Sequence, residues 1–235
     1  KRCTNAIVSN NRIFRIEAGP AGRASLSPLA PQYGPQGYQP DHIFVGECQG
    51  VAIIGNVMET SGEGIDVLLS SQCTVSGNVI RDIWFQGIKM LGVSSTAVSG
   101  NFLSDCYQGI GLAAHKKVGA ESENNSVTGN VILNTDTPGS FGIPGSGRTT
   151  YKAPAGIELA GTAKNNIIAN NVIRNSSGQA EMAAAITGDN GSNLLLGNLT
   201  PEDPSRAHGT DGGSRQGSAA DGSTDAASSA APGDG

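Results

Sequence analysis

Short apolar runs, each broken by a Gly-Asn or Asn-Asn pair, recur along most of the chain. They read Val8-Ser-Asn-Asn-Arg-Ile13, Ile53-Ile-Gly-Asn-Val-Met58, Val75-Ser-Gly-Asn-Val-Ile80, Val98-Ser-Gly-Asn-Phe-Leu103, Val127-Thr-Gly-Asn-Val-Ile132 and Ile168-Ala-Asn-Asn-Val-Ile173, closing with Leu195-Leu-Gly-Asn-Leu199. A second apolar, variable, apolar pattern follows nine or ten residues after the Asn. It is Gly64-Ile-Asp-Val67, Gly87-Ile-Lys-Met90, Gly109-Ile-Gly-Leu112 and, after a longer interval, Gly156-Ile-Glu-Leu159. His42-Ile-Phe-Val45 and Ala185-Ile-Thr187 take the same place in the first and sixth units. Alternation over so few residues predicts half-buried strands, and no stretch carries a 3.6-residue apolar stripe long enough for a helix. Each unit therefore reads as three short strands joined by turns.

The seven Asn residues, Asn11, Asn56, Asn78, Asn101, Asn130, Asn171 and Asn198, are separated by 45, 22, 23, 29, 41 and 27 residues. A shortest period of 22 to 23, with longer intervals carrying insertions, predicts a solenoid whose units bury their apolar faces against one another. Leucine-rich repeats share the period but need their own Leu spacing and a helical return. Here β-branched Ile and Val dominate the inferred interior, which favours strands.

The Val-x-Gly-Asn-x-Ile and Gly-Ile-x-Val motifs resemble the parallel β-helix repeat proteins, the pectate-lyase-like and NosD-like families, over about residues 3 to 200. The resemblance implies an all-β, right-handed, single-stranded parallel β-helix of about six to seven coils. Its core would be three ladders of stacked residues. The first is Val8, Ile53, Val75, Val98, Val127, Ile168 and Leu195; the second Ile13, Met58, Ile80, Leu103, Ile132 and Ile173; the third Ile43, Ile65, Ile88, Ile110, Ile157 and Ile186. Stacked strands lie about 4.8 Å apart, so each Asn amide is expected to hydrogen-bond to the next and satisfy a polar group at the bend.

Composition changes this picture little. With 34 Gly, 4% aromatic and 15% charged residues among 235, the chain suits turn-dense stacked strands in a secreted or surface protein, extracellular or periplasmic. A net charge of -5 argues against a nucleic-acid partner, and no 18-residue apolar run offers a membrane span. From about Pro201 the sequence turns to Gly, Ser, Ala, Asp and Thr, so 1–200 is expected to form the β-helix and 201–235 a disordered tail. The chain starts Lys1-Arg2-Cys3 without Met, as expected of a piece of a longer or processed protein, so a missing export signal says little.

Cys3 lies five residues before Val8 and Cys48 five before Ile53, which places them on adjacent coils as a disulfide candidate. The alternative is two stacked small residues at a turn. Cys73 and Cys106 fall at other registers. No Cys/His spacing predicts zinc, and three Met with three scattered His give no support for the copper role associated with some NosD-like proteins. Neither a metal nor another cofactor is predicted.

Insertions at 17–41, 134–155 and 174–184 fall between second and third strands and are expected to rise along one edge. They carry Tyr38, Asp41, His42, Arg148 and Tyr151; a further insertion, about 114–124, carries His115. These six are the candidate substrate-binding residues. Between the buried positions of the third strand, the outward residues run Phe44, Asp66, Lys89, Gly111, Glu158 and Thr187. Asp66, Lys89 and Glu158 are the candidate catalytic groups, because a carboxylate, an amine and nearby Tyr or His groups are what an acidic or neutral sugar chain needs for charge neutralisation and proton transfer. The plain alternative is a solvated cross-strand ion pair; because both side chains point outward, replacing Asp66 or Lys89 by Ala is expected to leave the fold intact.

Asn-x-Asp, Gly-His-Gly and Arg-x-Lys, which mark polygalacturonase-like members of the resembled families, are absent from the strand positions. Two classes stay open: a lyase, epimerase or hydrolase of a polysaccharide such as a uronate-containing chain, and a non-catalytic, adhesin-like glycan-binding scaffold. An outward stripe of Val57, Val79, Phe102, Val131 and Val172 offers a surface for homo-oligomer formation.

Overall fold

A computed structural model of the chain describes residues 2–14, 41–135, 155–175, 184–189 and 191–200. The tail expected at 201–235, and the segments carrying Tyr38, Arg148 and Tyr151, lie outside the described residues. In chain order the strands are Ile7–Ser9 (β1), Arg12–Phe14 (β2), Asp41–Gly46 (β3), Ala52–Ile54 (β4), Val57–Ser61 (β5), Glu63–Leu68 (β6), Thr74–Ser76 (β7), Val79–Leu91 (β8), Ala97–Ser99 (β9), Phe102–Ala113 (β10), Ser126–Thr128 (β11), Val131–Leu133 (β12), Ala155–Leu159 (β13), Ile167–Ala169 (β14), Val172–Arg174 (β15), Ala184–Thr187 (β16) and Leu194–Leu196 (β17).

Every pairing among these strands is parallel. One sheet stacks β1-β4-β7-β9-β11-β14-β17; the other holds β15-β12-β10-β8-β5-β2 together with β3, β6, β13 and β16. Non-consecutive neighbours, one full turn of chain apart, define a parallel β-helix. All three ladders have the expected register, as in Ile53↔Val75, Ile80↔Leu103 and Ile88↔Ile110. Their central members are fully buried and form one core along the axis. At about 25 cal/mol per Å² of apolar surface, each such Ile or Val contributes on the order of 2 kcal/mol.

The second and third strands of a coil were expected to be separate, yet in β8 and β10 they are continuous. A single left-handed residue makes the corner, Asp82 at φ 52° and Asp105 at φ 55°, with Thr60 and Asn134 equivalent in neighbouring coils. Asp and Asn adopt this conformation at small cost because their side chains bond locally. The bend occurs without interrupting the ladder.

The Asn column runs unbroken. Asn56 Nδ2 donates to Asn78 Oδ1 at 3.0 Å, Asn78 to Asn101 at 2.9 Å, Asn101 to Asn130 at 2.9 Å and Asn130 to Asn171 at 3.0 Å. Each backbone N–H in the column also donates to the next Oδ1, and each Nδ2 to a carbonyl of the preceding coil, as Asn101 does to Val75 at 2.9 Å. The amide thereby uses both its donors and both its lone pairs. The preceding Gly77, Gly100 and Gly129 have φ of 62 to 65°, and a Cβ there would meet nothing within 4 Å, so conformation and not space selects glycine.

A second Asn column, Asn125, Asn166 and Asn193, continues from Thr96 at another corner. The sequence hides it because the earlier coils carry Ala6, Val51 and Cys73 at that register.

The irregular spacings also resolve. The 23-residue interval after Asn78 contains a bulge, where Ile83 to Gln86 of β8 faces Cys106 to Gln108 of β10 with one residue extra. The 29-residue interval after Asn101 contains eight residues, 114–121, where the preceding coil has Gly92 alone, and 22 plus seven gives 29. The expected stripe Val57, Val79, Phe102, Val131 and Val172 is in register but half-buried, and Arg81 lies 5.6 Å over the Phe102 ring. Apolar side chains are more open at the last described coil, where Leu195 of the first ladder is 39% exposed.

Replacing Asn101 by Ala strands two donors of Asn78 and leaves the Oδ1 of Asn130 with the backbone N–H of position 101 alone, in a buried column. It is expected to cost about 2–4 kcal/mol, read as a lowered urea midpoint with unchanged m-value. The same change at exposed Asn11 is expected to cost under about 1 kcal/mol.

Candidate functional site

The outer face of the third-strand sheet carries two rows of polar residues. The first is the expected one, with Phe44↔Asp66, Asp66↔Lys89, Lys89↔Gly111, Gly111↔Glu158 and Glu158↔Thr187 in register. The second begins Asp41↔Glu63 and continues through Gln86↔Gln108. Strict alternation would send this second row inward, two residues before Ile43, Ile65, Ile88 and Ile110. Instead the backbone bends after it. Gly64 and Ile65 both face the core, since a Cβ on Gly64 would strike the Gly87 carbonyl and the Ile80 side chain, and Glu63 comes out beside Asp66.

The two rows are tied together diagonally. Lys89 Nζ donates to both Glu63 carboxylate oxygens and to Asp66 Oδ2, each at 3.0 Å. The sequence reading allowed this to be a solvated pair; it is not one. The Glu63, Asp66 and Lys89 side chains are 1%, 8% and 18% exposed. Asp41 joins them, and oxygens of Asp41, Glu63 and Asp66 lie within 4.8 Å of one another. Three carboxyl groups thus share one ammonium.

Titration follows from that imbalance. Burial, opposed by the Lys89 charge and assisted by Asp66, pushes Glu63 up to about 8. Burial and the Asp66 charge push Asp41 up to about 6. For Lys89 burial alone would lower the pKa, but Glu63 and Asp66 together outweigh it and raise the net value.

One coil further, Gln86 Nε2 donates to Gln108 Oε1 at 2.8 Å and Gln108 Nε2 to Glu158 Oε2 at 3.1 Å. The Gln86 amide lies where a side chain on Gly111 would stand. The bulge in β8 brings Phe85 beside Tyr107, rings stacked at 6.4 Å and 21°. Phe85, Gln86, Lys89, Leu91, Tyr107, Gln108, Ala113 and Glu158 line a groove of about 180 Å³.

The other sequence candidates fare differently. Asp41 belongs to the acid cluster, not to a loop wall. His42 was expected to bind substrate but is 8% exposed; it sits at the register of Gly64, inside the bend, with neither ring nitrogen paired among the described residues. Burial lowers its pKa and keeps it neutral. His115 is half-buried and opens the 114–121 excursion, its N–H bonded to the Ala120 carbonyl at 2.8 Å. Cys3 and Cys48 do face each other, with sulfurs 2.6 Å apart. Glu63, Gln86, Gln108, Phe85 and Tyr107 were missed.

These observations define a right-handed parallel β-helix with a polar groove on one sheet. A family model described as periplasmic copper-binding protein (NosD) matches residues 36–198, and the chain belongs to that family. Comparison with curated proteins gives no match. Among solved structures, a DFA-IIIase from Arthrobacter chlorophenolicus A6 in complex with GF2 is 16% identical, with a TM-score of 0.56 over 82% of this chain and 43% of that one. An alginate lyase from Paenibacillus sp. str. FPU-7 is 19% identical, with a TM-score of 0.48 over 68% of this chain and 53% of that one. The chain spans about half the length of these proteins or less, and the likeness is one of fold.

Copper does not fit the described residues. It prefers clustered imidazole, thiolate or thioether donors, whereas among the described residues the paired Cys3 and Cys48 sulfurs gather no third His, Cys or carboxylate ligand, neither His42 nor His115 joins such a group, and Met58 and Met90 are enclosed in the apolar core. Among the described residues the one group of three potential ligands is the carboxylate set, whose donors are hard oxygens; both Glu63 oxygens and Asp66 Oδ2 are engaged with Lys89, and Asp66 Oδ1 is buried without a partner.

Removing the ammonium should leave carboxylates buried without a counter-charge. Lys89→Met is expected to destabilise the protein by about 3 kcal/mol or more at pH 7, and by less at pH 5, where Asp41 joins Glu63 in holding a proton. Both acids have raised folded pKa values. Their contribution is fully present below the ordinary 3.8 and 4.5 and is lost as pH rises through about 6 and about 8. Glu63→Gln should therefore gain on wild type between pH 5 and pH 9 in urea unfolding.

Proposed function

We propose that the groove on the third-strand face binds a polysaccharide, with the protein exported to the periplasm or the cell exterior. The observation that carries this reading is the convergence of an aromatic pair, two side-chain amides, a carboxylate and an ammonium on one groove of about 180 Å³. Sugar rings present apolar C–H faces that pack on aromatic side chains, and hydroxyls that pair with amides and carboxylates. Phe85 and Tyr107 supply the first surface, and Gln86, Gln108 and Glu158 the second.

Charge favours a neutral chain over a uronate. The Lys89 ammonium is engaged by Glu63 and Asp66, and the remaining charged lining group, Glu158, repels a carboxylate. Binding is also favoured over hydrolysis. Glycoside cleavage needs two carboxyl groups flanking the bond, and Glu158 alone of the described acids lines the groove. Glu63 and Asp66 act as positioning residues that fix the Lys89 ammonium. In a catalytic reading, Lys89 and Glu158 would be the acid–base groups, as the residue pattern suggested.

Calorimetry against neutral and uronate oligosaccharides tests the proposal. Tyr107→Ala and Gln86→Ala are expected to weaken neutral-glycan binding at least about tenfold, an effect of about 1.4 kcal/mol or more, with circular dichroism unchanged. Undiminished binding by both variants, or binding of uronates alone, would overturn it. Release of shortened or unsaturated product by wild type but not by Glu158→Gln would establish the catalytic reading instead.

A further inference from the structure

The first two described coils carry facing thiols. Cys3 and Cys48 share a register, fixed by the parallel bridge Thr4↔Gln49 and by hydrogen bonds of 3.0 Å from Gln49 N–H to the Cys3 carbonyl and from Asn5 N–H to the Gln49 carbonyl. Parallel neighbours lie about 4.8 Å apart, inside the Cα separation of roughly 4.4–6.8 Å that a disulfide tolerates. The two sulfurs stand 2.6 Å apart. Closing to a bond of about 2.05 Å takes a movement of roughly half an ångström.

Below Cys48 the same column uses hydroxyls differently. Ser70 Oγ accepts the Cys48 N–H at 3.0 Å, and Ser122 Oγ accepts the Val93 N–H at 3.2 Å. Cys3 is exposed at its residue surface, whereas Cys48 is buried. Cys73 and Cys106 are buried on other columns, and burial raises both thiols above their ordinary 9.0. The hydrogen bond with Cys48 raises the Cys3 thiol as well, so exposure alone is what lets an oxidant reach Cys3 first, with Cys48 the thiol in place to resolve the adduct.

We infer that Cys3 and Cys48 form a disulfide that staples the first coil onto the second, closing a 45-residue step of the chain. The staple holds the strand at the described edge of the helix, β1, whose Ile7 is 72% exposed. In the reaction, the two thiols give up two protons and two electrons to a disulfide oxidant such as oxidised glutathione. One S–S bond forms in the protein, the glutathione S–S bond breaks, and two reduced glutathione molecules leave. The inference is independent of the glycan reading.

The test is peptide mapping of the full chain, unfolded and alkylated without reduction after incubation with oxidised glutathione. The expected result is a Cys3–Cys48 linked peptide, a mass two daltons lower, and two titratable thiols from Cys73 and Cys106. Reduction should lower the thermal midpoint of wild type by several degrees, yet leave Cys3→Ser unchanged; Cys3→Ser is the variant of choice because position 3 is exposed. Four free thiols after oxidation, or a link through Cys73 or between two chains, would overturn the proposal. So would a midpoint that reduction moves equally in wild type and Cys3→Ser.

Discussion

Each turn of the backbone must land on the one before it at the spacing of a parallel strand, and the buried corners must still satisfy their polar groups. The rest of the structure depends on this constraint. A corner has no neighbour within its own coil to accept its N–H, so the partner must come from along the axis. Asn meets the need because its amide both donates and accepts, and a column of them bonds upward and downward at once. The apolar ladders supply most of the burial, but an apolar column tolerates small slips that an amide column does not. The amides set the register to which the Ile and Val ladders conform.

The same constraint shapes the groove. Because every coil repeats its path, a residue on one coil finds its chemical partner directly above, below or one row across. Lys89 reaches Asp66 along its own row and Glu63 across the bend; Gln108 reaches Glu158 the same way. Departures from the repeat then make the cavity. One extra residue in β8 aims Phe85 at Tyr107, and one missing side chain at Gly111 leaves room that the Gln86 amide enters.

The fold was legible because its signal is redundant: seven Asn frames and three ladders each gave the same register. The Asp66–Lys89 neighbourhood was legible for the same reason. What could not be read was the bend after Glu63, which breaks alternation for two residues. That single feature hid Glu63, Gln86 and Gln108, which alternation assigns to the core, and brought His42 forward as a surface group when it is enclosed. The length difference between the 22- and 23-residue units was the available signal for the bulge, visible in the spacing but not assignable to a residue. Burial of the ion pair was likewise beyond the pattern, because outward on a strand does not mean exposed when a second row of side chains lies alongside. Residues Tyr38, Arg148 and Tyr151 belong to segments that carry no repeat, so neither register nor ladder places them.

The long insertions share one position in the coil, between β2 and β3, β12 and β13, and β15 and β16. Strands on either side keep their register whether the connection is a single left-handed residue, as at Asp82, or many residues, as between Phe14 and Asp41. Loop-closure entropy grows only with the logarithm of length. The corner is therefore an insertion port: foreign peptide of widely varying length can be grafted there, for display or for reshaping the adjoining face, while the stacked core sees the same two anchor points.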